Sequence, residues 1–299
     1  MKGGECMDTK REVQVITRQE EQYPEKFRQL SDMPEKFWLM GELPPGNAPC
    51  LAIVGARNCS SYGENMAFEF ARLLAGEGVC IISGLAAGVD GAAHRGALAG
   101  GGKTYGVLGC GVDICYPSGN RKIYEKMKKQ GGILSEYEPG NPPLAYHFPK
   151  RNRLISALAD AVLVVEAKEK SGSLITADIA LEQGRTVFAL PGRVGDLLSV
   201  GCNRLIYQGA VPAWKPEIIL EEMNWKKGGF SHGEKEKKCL GLASEDDLVY
   251  SCLDLTPKTV TQLQDETGLP AGRLLTSLMH LKTARLAEEP WKNHYIRIP

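Results

Sequence analysis

The sequence predicts an α/β fold: a doubly wound, Rossmann-like, mostly parallel sheet followed by a small C-terminal winged-helix domain. Two observations carry this. Between about Cys50 and Ala213, short apolar runs alternate with helix-like stretches, the pattern of parallel strands joined by crossover helices. After Trp214 the pattern changes. Trp225 to Lys238, WKKGGFSHGEKEKK, is rich in Lys, Gly and Glu with little to bury, and reads as a linker. The residues beyond it read as helix, helix, turn, helix and hairpin, the order of a winged helix.

The elements follow from apolar runs punctuated by glycine. Leu51-Ala-Ile-Val-Gly55 is a buried strand, with a helix near Glu64 to Gly76 behind it. Val79 to Ser83 is the next strand, before a helix from about Val89 to Ala99. Thr104 to Leu108 is the third, before a helix from about Asn120 to Lys129. Gly132 to Ser135 and Ala161 to Glu166 are strands flanking a helix near Asn152 to Ala159. A helix near Leu174 to Gln183, a strand at Thr186 to Leu190 and a helix near Val200 to Gln208 complete the series. In the last unit, helices are expected near Glu245 to Leu253, Thr259 to Glu266 and Ala271 to Lys282, with two short strands around Pro290 to His294. The expected divisions are a lead-in over 1–45, the sheet domain over 46–223, a linker over 224–243 and the winged helix over 244–299. The ligand crevice of such a sheet lies at the carboxyl ends of its strands.

The 36 basic and 36 acidic residues cancel. A nucleic-acid reading therefore has to rest on local basic clusters rather than on net charge. No run of eighteen apolar residues occurs and eight of the first twenty residues are charged, so neither a membrane span nor a secretory signal is expected, and the expected location is the cytoplasm. The nine cysteines lie far apart with no CxxC pair. That spacing reads as reduced thiols, with no metal site expected.

Four glycine-bearing turns follow strands of the large domain: Gly55-Ala-Arg57, Ser83 to Asp90 with Gly84 and Gly88, Leu108 to Asp113 with Gly109 and Gly111, and Ser171-Gly-Ser-Leu-Ile-Thr176. Glycine lets a backbone approach a phosphate, and a helix N-terminus behind it supplies free N–H groups. The alternative is turn geometry alone. None is a GxGxxG or GxxxxGK[ST] motif and no GxSxG elbow is present, so dinucleotide binding, ATP hydrolysis and serine-hydrolase chemistry have no support. No cofactor and no catalytic residue is expected. Asp90 and His94 share a helical face and read as a capping or packing pair. The densest chemistry is Tyr146-His-Phe-Pro-Lys-Arg-Asn-Arg153: cations to neutralise phosphates beside aromatics to stack unpaired bases. The same run also reads as an ordinary helix start.

These motifs, in this order, resemble the DNA-processing protein A (DprA/Smf) family. The resemblance rests on Gly55-Ala-Arg57, Ile82 to His94, Gly109 to Asp113 with Tyr116-Pro117, Phe148 to Ser156, Ser171 to Ala177 and Ala189-Leu-Pro-Gly192. It spans about Tyr23 to Trp214, and the segment Tyr23-Pro24, Leu30, Met33-Pro34, Gly41 is similar to the family's lead-in. The resemblance implies a single-stranded-DNA binder and recombination mediator, not an enzyme, that dimerises through its sheet domain and hands DNA to the RecA recombinase. It also implies relief of the barrier posed by single-strand-binding protein, with natural transformation or general recombination as the setting. Arg57, Phe148, Lys150, Arg151, Asn152 and Arg153 are then expected to line the DNA pocket, with Ser171, Gly172, Ser173 and Thr176 cradling phosphate. Arg57 would bridge phosphates and Phe148 would stack on a base. The extra N-terminal helical domain of some members is expected to be absent. The alternative is a Rossmann-like nucleotide phosphoribohydrolase, whose PGGxGTxxE loop is replaced here by SGSLITADIALEQG. A winged-helix transcription factor with a ligand-sensing sheet leaves the Phe148 to Arg153 cluster without a use.

Overall fold

The computed structural model describes residues 13–225, 244–254, 257–284 and 286–298. The chain divides into two compact units, 1–228 and 229–299. The expected linker at 224–243 lies almost wholly outside the described residues.

The first unit runs β1 (Gln14–Thr17), α1 (Glu25–Arg28), β2 (Lys36–Gly41), β3 (Cys50–Val54), α2 (Ser61–Gly76), β4 (Cys80–Ser83), α3 (Val89–Ala99), β5 (Thr104–Leu108), α4 (Arg121–Gln130) and β6 (Gly131–Ser135). It continues through α5 (His147–Leu158), β7 (Ala161–Val164), α6 (Gly172–Glu182), β8 (Thr186–Ala189), α7 (Val200–Tyr207), β9 (Val211–Pro212) and α8 (Pro216–Glu222). The sheet order is β1-β2-β6-β5-β4-β3-β7-β8-β9. Pairings from β6 through β9 are parallel, whereas β1 with β2 and β2 with β6 are antiparallel.

Every residue of β3 to β7 is buried, as expected of parallel strands covered on both faces. The period of two divides β3 between two cores. Leu51 and Ile53 pack with Phe70 and Leu74 of α2 and Ala93 and Ala97 of α3. Ala52 and Val54 pack with Leu154 and Ile155 of α5, Leu174 and Ala177 of α6, and Leu205 of α7.

Residues 14–41, part of the 1–45 expected as a lead-in, contribute β1 and β2 to the large sheet, with α1 between them. Trp38 lies opposite Ser135 and Gly41 opposite Gly132. Tyr23, Phe27 and Phe37 hold this segment down as a buried aromatic triad with centroids 5.7 to 6.0 Å apart, and Tyr23 donates its hydroxyl to the Pro34 carbonyl at 2.6 Å.

The second unit contains α9 (Ser244–Cys252), β10 (Lys258–Thr259), α10 (Val260–Thr267), α11 (Ala271–Thr283), β11 (Ala287–Trp291) and β12 (His294–Arg297). Its strands form an antiparallel sheet ordered β10-β12-β11. Val249, Leu263, Leu274, Leu278, Leu281 and Tyr295 fill its separate core. Thr259 opens α10 with a capping box to Gln262, and Gly268 closes it at φ 68°, a left-handed position that favours glycine.

Candidate nucleic-acid interface

The chain runs outward from β3 through β4, β5 and β6, then returns to place β7 on the other flank of β3. This reversal is where an open α/β sheet leaves a crevice beyond the strand ends. A cleft of about 410 Å³ occupies it. Its walls are Gly55, Arg57 and Asn58 after β3, Ala86 and Asp90 after β4, Phe148, Arg151, Asn152 and Ile155 of α5, and Lys168, Lys170, Ser171, Gly172, Ser173 and Thr176 around the start of α6.

The helix expected from near Asn152 starts five residues earlier, at His147, and so takes in the Tyr146 to Arg153 run. The run forms the first two turns of α5. Pro149 falls in the first turn, where the backbone N–H has no helical partner to lose. Helical spacing then splits the run between two faces. Phe148, Arg151, Asn152 and Ile155 face the cleft. Lys150 and Arg153 do not line it: both reach Glu136, at 3.8 and 2.6 Å.

Arg151 is buried and forms the floor. Its Nη1 donates to the Gly84 carbonyl at 2.8 Å and also to that of Val107, so one guanidinium ties the ends of β4 and β5. Burial pulls its pKa down to about 10, with the nearby Asp90 opposing the shift. Asp90 accepts from the N–H groups of Gly84 at 3.1 Å and Ala86 at 3.4 Å. Burial raises its pKa, and Arg151 works against that rise. Arg57 is exposed and lies 5.1 Å over the Phe148 ring. No ion pair among the described residues engages Arg57, Lys168 or Lys170, and Asp90 is the one acidic residue in the lining. The cleft therefore presents cations to solvent while its carboxylate is tied up inside.

The serine turn is built around its own cap. Ser171 accepts from the Ser173 N–H at 3.4 Å, and their hydroxyls lie 2.8 Å apart. Asn152 donates to the Gly172 carbonyl at 3.4 Å. Ser173 and Thr176 are buried, which leaves Gly172 exposed at the start of α6.

The other expected phosphate-cradling glycines have another occupation. Gly84, Gly88, Gly109 and Gly111 are absent from the cleft lining, and a Cβ on any of them would collide. On Gly84 it would lie 2.5 Å from Arg151, on Gly88 2.4 Å from the Arg57 carbonyl oxygen, on Gly109 3.0 Å from Phe148 and on Gly111 2.7 Å from the Glu138 carbonyl oxygen. Three of them make room for Arg57, Phe148 and Arg151, and are thus coupled to the site from behind. Gly55 does line the cleft, and a Cβ there would meet Val89 at 2.7 Å.

Sequence reasoning missed Lys168, Lys170 and Glu166. The lysines sit in an unremarked connection between strand and serine turn. Glu166 is buried and accepts from Ser60 N–H at 2.9 Å and Ser60 Oγ at 2.5 Å, while Ser60 Oγ in turn accepts from Gly63 N–H at 3.1 Å. An acid directly after an all-apolar strand is the signal that marks it.

His94 lies outside the lining, buried beside Thr104 Oγ1 at 2.7 Å. That hydroxyl donates its proton to the Ile81 carbonyl at 2.9 Å, so it accepts from His94 Nδ1–H. Burial, helped by Arg151 and Arg95, depresses the imidazole pKa to about 3. Seven cysteines are free among the described residues, with Cys50, Cys80, Cys110 and Cys202 buried. No group of three or more His, Cys, Asp or Glu residues suited to a metal occurs among them. No described helix is long and apolar enough to cross a membrane.

The sequence profile of the DNA recombination-mediator protein A family matches residues 14–224, from β1 through α8. The chain belongs to this family. Protein Smf of Escherichia coli K12 is 39% identical over 277 residues, which is 90% of this chain and 74% of Smf. DprA of Streptococcus pneumoniae R6 is 42% identical over 203 residues, covering 68% of this chain and 72% of its own. The crystal structure of S. pneumoniae DprA superposes with a TM-score of 0.68 at 40% identity, over 70% of this chain and 74% of that one. A DprA structure from Helicobacter pylori, reported for its single-stranded DNA binding mode, gives 0.64 at 33% identity, over 71% of this chain and 95% of that one. The family's matched region contains the whole cleft.

Proposed function

We propose that the cleft binds single-stranded DNA and that the protein hands the bound strand to the RecA recombinase. The observation that carries this is the lining: Arg57, Lys168 and Lys170, in no ion pair among the described residues, beside an aromatic ring and a glycine-exposed helix start. Exposed cations contribute the salt-sensitive backbone attraction of a nucleic-acid groove. The reported single-strand binding of the H. pylori relative supports the reading. In it, Arg57 and the lysines bridge phosphates, Gly172 and Ser171 receive one at the start of α6, and Asn152 holds that turn in place. Arg151 acts from the floor, and Lys150 and Arg153 act outside the cleft. The protein works in the cytoplasm as a homodimer, relieving the barrier of single-strand-binding protein through RecA loading rather than by an enzymatic step.

A phosphoribohydrolase needs a placed carboxylate for acid-base work on a glycosidic bond. The lining offers Asp90 alone, already accepting two backbone N–H groups. We read the second unit as a winged helix that contacts protein. The basic side chains of α11 are each engaged by a carboxylate: Arg273 by Glu245, His280 by Asp246 at 3.2 Å and Lys282 by Glu289 at 2.6 Å. Leu275 and Met279 are exposed on the same helix.

The test is fluorescence anisotropy with a labelled oligo-dT strand and an unlabelled duplex competitor, for wild type and Arg57→Ala. Binding that resists the duplex, falls steeply with salt and is lost in the folded variant supports the reading. Absence of wild-type binding overturns it and makes base release from nucleoside monophosphates the next assay.

A further inference from the structure

We propose that Tyr116 forms a second subsite, receiving a nucleobase at the edge of the cleft, and that Phe148 serves to aim Arg57 rather than to carry a base. This rests on the reading of the cleft as a single-strand site. Phe148 is the ring the sequence singles out for stacking, yet its surroundings are taken. The Arg57 guanidinium lies 5.1 Å from the ring centroid and that of Arg151 5.9 Å. Gly109 backs the ring so closely that an added Cβ would stand 3.0 Å from its Cδ1. Tyr116 packs against it at 5.7 Å, tilted by 34°. A base would have to displace one of these neighbours to stack there.

Tyr116 has the opposite character. The residue is 47% exposed, and no hydrogen bond among the described residues engages its hydroxyl. The segment that carries it leaves β5 through Gly109 and Gly111, and is held by the Ile114 N–H to Gly111 carbonyl bond at 3.0 Å and the Gly111 N–H to Asn141 carbonyl bond at 2.9 Å. A held, half-exposed ring in contact with a cleft-lining residue is pre-organised for a flat apolar ligand that brings its own phosphates to Arg57. An unpaired base attached to the bound strand meets that description. Phe148 in turn fixes where the Arg57 charge stands through a cation–π contact.

The experiment compares two oligomers of equal length, oligo-dT and an abasic strand with the same phosphates, against wild type, Tyr116→Phe, Tyr116→Leu and Phe148→Leu. Tyr116→Leu keeps an apolar contact on Phe148 but removes the π face. It is expected to weaken oligo-dT binding about tenfold and leave abasic binding unchanged, while Tyr116→Phe binds both as wild type does. A 2-aminopurine base in the strand is expected to be quenched on binding wild type and not Tyr116→Leu. Phe148→Leu is expected to weaken both strands alike. Equal loss of both strands in Tyr116→Leu, or no loss, overturns the subsite; loss confined to oligo-dT in Phe148→Leu overturns the aiming role. If wild type binds neither strand, the fault lies with the single-strand reading of the cleft and not with the choice of ring.

Discussion

Glu166 grips Ser60 twice, accepting from its backbone N–H at 2.9 Å and from its hydroxyl at 2.5 Å. The turn that carries Arg57 is thereby fastened to the end of β7, across the crevice at the sheet's switch point. Glu166→Gln replaces one acceptor with a donor facing another donor. The expected result is a loss of roughly 1–3 kcal/mol in denaturant unfolding together with weaker single-strand binding at temperatures where the variant is folded. Unaltered stability and affinity would show the grip to be idle.

Arg151 and Lys150 are neighbours in sequence with opposite expected phenotypes. Arg151→Met leaves the Gly84 and Val107 carbonyls unpaired and Asp90 without its compensating charge. The expected destabilisation is about 3 kcal/mol or more by denaturant unfolding. Lys150→Ala removes an exposed pair at 3.8 Å and is expected to change stability by less than about 0.5 kcal/mol.

Gly172 separates packing from binding. A Cβ there meets nothing within 4 Å, so Gly172→Ala is expected to fold as stably as wild type in a thermal melt. The same methyl covers the exposed N–H groups at the start of α6 and is expected to lower oligo-dT affinity several-fold. Gly111→Ala, whose Cβ would strike backbone, is expected to melt lower. If Gly172→Ala binds as wild type, the serine turn is no phosphate seat.

His94 sets a pH dependence. The unfolded chain takes a proton near the ordinary 6.5 while the native imidazole stays neutral down to about 3. The unfolded state therefore holds more protons in that window, and His94's contribution to stability, full above pH 6.5, falls as pH drops, with a limiting slope of about 1.4 kcal/mol per pH unit. His94→Asn, which keeps a donor for Thr104 Oγ1, is expected to flatten the fall between pH 6 and 4. Parallel pH profiles for variant and wild type would refute this.

What the sequence disclosed and what it hid have physical reasons. Strands β3 to β8 were readable because each is a short apolar run closed by a turn. β1 and β2 were not, because both lie in charged surroundings, Gln14–Thr17 is the edge strand, and the β6 partner of Lys36–Gly41 lies far along the chain. The cleft residues Arg57, Phe148, Asn152 and Ser171 announced themselves by type and motif. Which cations faced inward did not, since that depends on where α5 begins: a start five residues later places the run in a loop, with no helical face to divide it. Gly109 and Gly111 looked like phosphate seats because packing and binding both select glycine at strand ends. Only the atoms behind each one separate the two.

The antiparallel seam between β2 and β6 has a consequence for the nascent chain. A ribosome releases the strand at Lys36–Gly41 long before Gly131–Ser135 exists, and β3 waits longer still for β7. During synthesis β2 and β3 therefore each keep one edge unpaired, with only β1 and β4 beside them, the state in which chains stick to one another. Their closure late in translation makes this a fold of distant partnerships, for which slow completion is expected.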